Sequence, residues 1–97
     1  MRPSEALARH RDEVLAIIAR YPVSNPRVFG SVARGEDVEG SDLDLLVEPR
    51  VGVTTFVHLG ELEAELRDVL GTGVDVVTPD GLHGTVAERI RPELYPL

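Results

Sequence analysis

The sequence predicts an α/β protein of α+β-like character, with a small mixed sheet of three to four strands flanked by helices. Three observations carry that prediction. Apolar residues recur at helical spacing in two long stretches, Ser4 to Arg20 and Thr54 to Leu70. Three short segments, "PRVFG", "DLDLLVE" and "GVDVVTP", have strand composition and are bounded by glycine or proline. The last two are joined through a full helix, a crossover whose length implies parallel, neighbouring strands with a right-handed connection.

Taken in order, the first helix has Ser4 as a candidate cap. Its apolar face is Leu7, Val14, Leu15, Ile17, Ile18 and Tyr21, and Tyr21-Pro22 stops it. The first strand ends at Gly30-Ser31, where "SVAR" opens a helical turn. The acidic, glycine-bracketed "GEDVEG" reads as an exposed, mobile loop. The second strand follows. The central helix carries Phe56, Leu59, Leu62, Leu66, Val69 and Leu70 on its core face, with Gly71 placed for a left-handed C-terminal residue. The third strand ends at Pro79, and "GTVAERI" reads as a short last helix before the proline-rich end "RPELYPL". The whole stretch, 1–97, is expected to be a single domain.

Composition removes several classes of function. There is no cysteine, hence no disulfide, thiolate nucleophile or zinc-thiolate site. All ten basic residues are Arg, so neither Schiff-base chemistry nor a P-loop lysine is available. Phosphate contacts must come from Arg, backbone N–H groups, hydroxyls or a metal. A net charge of −7 opposes direct binding to nucleic acid and suits a basic protein partner. No apolar run approaches the roughly 20 residues a membrane helix needs. The N-terminus carries charges where a signal peptide needs its apolar region, so the expected location is the cytoplasm. A domain this small has no room for a separate acceptor-binding domain, so the acceptor is expected at its surface or on a partner.

The chemistry is concentrated in "RVFGSVARGEDVEGSDLDLLVEP". Side chains alternate along a strand, so Asp42 and Asp44 share one face, about 7 Å apart, while Leu43, Leu45 and Val47 share the other. Asp75 stands at the same depth in the third strand, and parallel pairing brings it beside the first two. Three carboxylates in one place oppose folding unless something positive joins them. Hard divalent cations prefer carboxylate oxygens, and Mg²⁺ commonly takes one or two carboxylates together with substrate phosphates. If the first two strands are antiparallel, Gly30-Ser31 lies at the same edge. Gly then lets the backbone approach phosphate, and the Ser hydroxyl donates to it. A pair of metals about 4 Å apart can stabilise the attacking and leaving oxygens of an in-line displacement, with Asp75 placed to help deprotonate an incoming hydroxyl. The chemistry expected is nucleotidyl transfer from a nucleoside triphosphate.

Ten residues separate Ser31 from Asp42, and "FGS", "SDLDLLV" and the later "VDVV" together resemble the polymerase-beta-like nucleotidyltransferase superfamily. The extended "GSVARGEDVEGSDLDLLVEP" is similar to its minimal nucleotidyltransferase (MNT) family, many of whose members are antitoxins paired with HEPN-domain ribonuclease toxins. The resemblance covers nearly the whole chain. It implies a polymerase-beta-like core in which Gly30 and Ser31 bind the triphosphate, and Asp42, Asp44 and Asp75 hold Mg²⁺. It further implies that AMP passes from ATP to a tyrosine of the partner toxin. Arg34, in the "ARG" that matches the family pattern, either contacts phosphate or braces the loop. No departure is found among the five core positions. Two other readings stand beside this one: an antitoxin that neutralises its partner by binding alone, and a nucleotidyltransferase acting on a small molecule such as an antibiotic.

The remaining polar residues call for plainer roles. His10, His58 and His83 share no metal-ligand spacing and read as surface or helix-face residues. Glu61, Glu63, Glu65 and Asp68 read as the solvated face of the central helix. Glu36, Asp37 and Glu39 are assigned to the mobile loop.

Overall fold

The computed structural model describes residues 1–81 and 94–97. The expected last helix, "GTVAERI", lies outside these. Two N-terminal helices, α1 (Pro3–Arg9) and α2 (Arg11–Ile18), lead into strand β1 (Val23–Phe29). One helical turn, α3 (Ser31–Arg34), precedes β2 (Leu43–Pro49), and the long helix α4 (Phe56–Leu70) precedes β3 (Val74–Val77). A 3₁₀ turn (Pro79–Gly81) follows, and β4 (Tyr95–Pro96) completes a four-stranded sheet of order β3-β2-β1-β4. β2 and β3 are parallel; β1 is antiparallel to both β2 and β4. The mixed sheet and its flanking helices match the expected class, and β4 forms within the C-terminal stretch that had been assigned no strand.

The first helix is broken at His10, whose backbone leaves the helical region (φ −115°, ψ 21°). No glycine or proline marks the break. It lets Ala6 and Leu7 on one helix and Val14, Ile17 and Ile18 on the other enter the same core. Ser4 is not the cap. Pro3 takes the first helical position, which needs no N–H, so the helix begins before Ser4. The Ser4 amide is instead satisfied by Oδ2 of Asp37, 2.9 Å away and 33 residues later. Asp37 is therefore anchored and buried at 3% exposure, against the expectation of an exposed, mobile loop.

β1 begins earlier than "PRVFG" because it contains a bulge. Ser24 faces Glu48 and Arg27 faces Leu46, so β1 carries one extra residue between them. Asn25 adopts φ 50°, a left-handed conformation that Asn tolerates. The extra residue changes the phase of the strand, so Val23 and Val28, an odd number apart, both face the core.

The core lies between one face of the sheet and helices α1, α2 and α4. Leu43, Leu45 and Val47 are completely buried there, with Val74 and Val76 from β3 and Leu62, Leu66 and Leu70 from α4. Burying a side chain of this kind contributes roughly 1.5–3 kcal/mol. α4 starts at Phe56, with Thr55 as its cap: the Thr55 hydroxyl accepts from the His58 amide and the Thr55 amide donates to His58 Nδ1 at 3.0 Å. Phe56, expected in the core, is 91% exposed, because the inward stripe of α4 begins one turn later at Leu59. Gly71 takes the left-handed C-terminal position as expected (φ 68°). No helix among the described residues is long and apolar enough to cross a membrane.

Candidate active site

The polar edge of the sheet is where the end of β1 meets the beginnings of β2 and β3. Asp44, second residue of β2, is paired across the backbone with Phe29 on one side and Asp75 on the other. It is the central member of the acidic group. Asp42 lies just before the strand, and both Asp42 and Asp75 are exposed while Asp44 is partly buried. Burial, reinforced by the charges of Asp75 and Asp42, pushes the Asp44 carboxyl up to about 6, against a smaller lowering by Arg34.

Gly30 stands directly against this group. Its backbone (φ 78°, ψ −152°) lies in a region closed to residues with a Cβ, and a Cβ built there would overlap Oδ2 of Asp44 and stand 3.2 Å from its Cγ. Ser31 is the first residue of α3, and its carbonyl accepts from the Glu36 amide at 2.9 Å. Arg34 ends the turn. Its Nε donates to Glu36 Oε2 at 3.1 Å, and its charge reaches Asp44. Arg34 thereby braces the loop beside the acidic edge.

One member of the edge was not anticipated from the sequence. A Cβ on Gly73 would overlap Oδ1 of Asp42 and lie 2.9 Å from its Cγ. Unlike Gly30 and Gly71, Gly73 has no left-handed backbone, so glycine is needed here for space. Its carbonyl accepts from the Leu43 amide at 2.9 Å, bringing β3 against the start of β2. The trace it leaves in the sequence is a second glycine, "GTG", after the helix-ending Gly71.

The six expected residues thus converge on one edge of the sheet. The three carboxylates are neighbours there without closing on a common point: among the described residues no three His, Cys, Asp or Glu side chains form a ready metal-holding cluster. Donor chemistry fits a hard divalent cation, since all three are carboxylates, and the glycines at 30 and 73 let the carboxylates of Asp44 and Asp42 lie close against the backbone. A phosphate-bearing substrate approaching Gly30-Ser31 would meet this edge directly.

Comparison with known proteins identifies the family. Residues 9–94 match the model of the nucleotidyltransferase domain family. The chain is 38% identical over 81 residues to MJ0435 of Methanocaldococcus jannaschii, a candidate protein adenylyltransferase, covering 84% of this chain and 86% of that protein. It is 34% identical over 88 residues to the protein adenylyltransferase MntA of Thermococcus cleftensis, covering 91% and 85% respectively. Among solved structures, a candidate minimal nucleotidyltransferase superposes with a TM-score of 0.83 at 42% identity, over 97% of this chain and 95% of that one. A toxin–antitoxin structure with AMP-PNP shares the fold, with a TM-score of 0.74 at 17% identity, over 88% of this chain and 69% of that one. With 86 of its residues inside that family's model and a minimal nucleotidyltransferase fold matched over nearly its full length, the chain belongs to the nucleotidyltransferase domain family as one of its minimal nucleotidyltransferases.

Proposed function

We propose that this protein transfers AMP from ATP to a tyrosine hydroxyl of a partner HEPN ribonuclease toxin in the cytoplasm, with Mg²⁺, and so acts as the antitoxin of the pair. The observation that carries the reading is the position of Asp44, packed over Gly30 on one side and register-paired with Asp75 on the other. A phosphate site and an acidic edge are thereby one site. The names of its relatives support a protein acceptor, and the toxin–antitoxin complexes that share its fold support a toxin as that acceptor.

In this reading Gly30 and the Ser31 hydroxyl receive the β- and γ-phosphates, with Arg34 adding positive charge beside them. Asp42, Asp44 and Asp75 are the ligands for Mg²⁺, which when bound supplies charge neutralisation on the triphosphate and on the pyrophosphate that departs. The acceptor oxygen forms a bond to the α-phosphorus as the bond from that phosphorus to the bridging oxygen of pyrophosphate breaks. The hydroxyl proton is taken by a carboxylate at the edge, for which Asp75, exposed to an incoming side chain, is assigned. No acceptor pocket is required of this chain, because the acceptor arrives on the partner.

The test is to mix the protein with ATP, Mg²⁺ and the proposed HEPN toxin and to read the toxin's intact mass. Added adenylyl groups are expected. An interacting partner that gains no mass, yet is neutralised, would show that protection comes from binding alone. Asp42→Asn with Asp44→Asn should abolish transfer and leave the fold intact; normal transfer by that double variant removes the proposed metal site.

A further inference from the structure

β3 is an edge strand among the described residues, and the Glu63–Arg67 ion pair on α4 holds it from outside. Backbone N–H and C=O groups of successive strand residues point to opposite sides. Asp75 therefore turns its backbone toward β2, while Val74 and Val76 turn theirs outward, where a missing neighbour would leave them unpaired. Two side chains take the place of that neighbour. Glu63 Oε2 accepts from the Val76 amide at 2.9 Å, and Arg67 Nη2 donates to the Val74 carbonyl at 3.0 Å. The two are themselves paired at 3.2 Å, one helical turn apart. Glu63, expected on the solvated face, retains only 24% of its side-chain exposure.

We infer that Glu63 and Arg67 are positioning residues for nucleotidyl transfer, fixing the stretch of β3 that presents Asp75. The two anchored groups lie one residue before and one residue after Asp75, so the strand is clamped on both sides of the carboxylate. The Asp75 side chain is exposed, and its place beside Asp44 is set by the backbone that carries it. A surface ion pair contributes little by itself. Here each partner also satisfies a backbone group, which gives the pair a geometric role. The inference rests on the proposed role of Asp75 in holding a divalent cation.

Mn²⁺ titration followed by electron paramagnetic resonance tests it on the intact protein without turnover. Glu63→Ala is expected to weaken Mn²⁺ binding about tenfold, as loss of a residue that orients a metal ligand commonly does. Glu63→Gln, whose amide oxygen still accepts from Val76, should restore binding to within about twofold of the parent. Hydrogen exchange at the Val76 amide should accelerate in the Ala variant and not in the Gln variant. Val69→Ala, a core substitution on the same helix, should lower the melting temperature without moving Mn²⁺ affinity. In an Asp75→Asn background, Glu63→Ala should cost nothing further. Unchanged affinity in Glu63→Ala, or an equal loss with Asp75 already replaced, would overturn the inference. If Asp75→Asn alone binds Mn²⁺ like the parent, the assigned role of Asp75 is what has failed, and the inference falls with it. Should Glu63→Ala not fold, Arg67→Leu carries the same comparison.

Discussion

The carboxylate of Asp44 occupies the space that a side chain on Gly30 would fill. Asp44 belongs to the acidic group and Gly30 to the turn proposed to receive phosphate, so the two halves of the proposed site are packed together through the absence of one carbon atom. The contact follows from the pairing of Phe29 with Asp44, which delivers the next residue, Gly30, across the tip of β2. Gly30→Ala is expected to abolish transfer and to lower stability by about 1–3 kcal/mol, part from the backbone conformation and part from the overlap. Thermal unfolding of Gly30→Ala, Asp44→Ala and the double variant separates the two contributions. The cost of Gly30→Ala should shrink when Asp44 is already Ala, and strict additivity would contradict the packing described.

Gly73→Ala should behave differently. Its backbone suits any residue, and the overlap is with the end of an exposed side chain that can rotate away. Stability is expected to change by less than about 1 kcal/mol. The ordinary geometry of Asp42 is lost, so the Mg²⁺ concentration needed for half-maximal transfer should rise several-fold. A melting curve paired with an Mg²⁺ titration checks both expectations.

Asp44 makes the metal-free protein less stable as pH rises. Its folded pKa, about 6, lies above the ordinary 3.8, so between those values the folded state binds more protons than the unfolded state and stability falls with increasing pH. Above about pH 6 the penalty is complete. Because the group is only partly buried, solvent screening limits it to about 1 kcal/mol. Denaturant unfolding in a chelator at pH 4.5 and pH 7.5 should show this loss in the parent and not in Asp44→Asn. A divalent cation should offset it at pH 7.5.

Asp37 has the opposite sign. Burial raises its pKa, but the hydrogen bonds from the Ser4 amide and hydroxyl outweigh that and hold it below the usual carboxylate range. Its contribution is present above the ordinary value and is lost as pH falls through the lowered one. Asp37→Ala should destabilise the protein at neutral pH by about 1 kcal/mol, the usual cost of an unsatisfied first helical turn, and should leave it less sensitive to acid. Urea midpoints at two pH values measure both effects.

Much of the site was legible because it obeys local rules. The alternation of Asp42 and Asp44 with Leu43, Leu45 and Val47 is a period-two pattern with one meaning, core on one face and polar groups on the other. A crossover helix between β2 and β3 leaves parallel pairing as the short solution, so Asp75 falls beside Asp44. Gly30-Ser31 ends a strand and opens a turn in the sequence as it does in space. Features that depend on distant partners were not legible. Nothing near Asp37 says that it will satisfy the amide of Ser4. Phe56 has the spacing of a core residue yet is exposed, since periodicity records a phase and not where the facing layer ends.

Strand phase and connection length, both readable along the chain, are enough to bring together the glycine-serine turn, the aspartate pair and the later aspartate. How they are held depends on contacts between distant segments. The bulge at Asn25 sets the phase of β1, Gly73 makes room for Asp42, and Glu63 with Arg67 occupies the open edge of β3. Each of these satisfies a steric or hydrogen-bonding demand that exists only once two separate segments are in contact, and no residue beside it in the chain states which partner that will be.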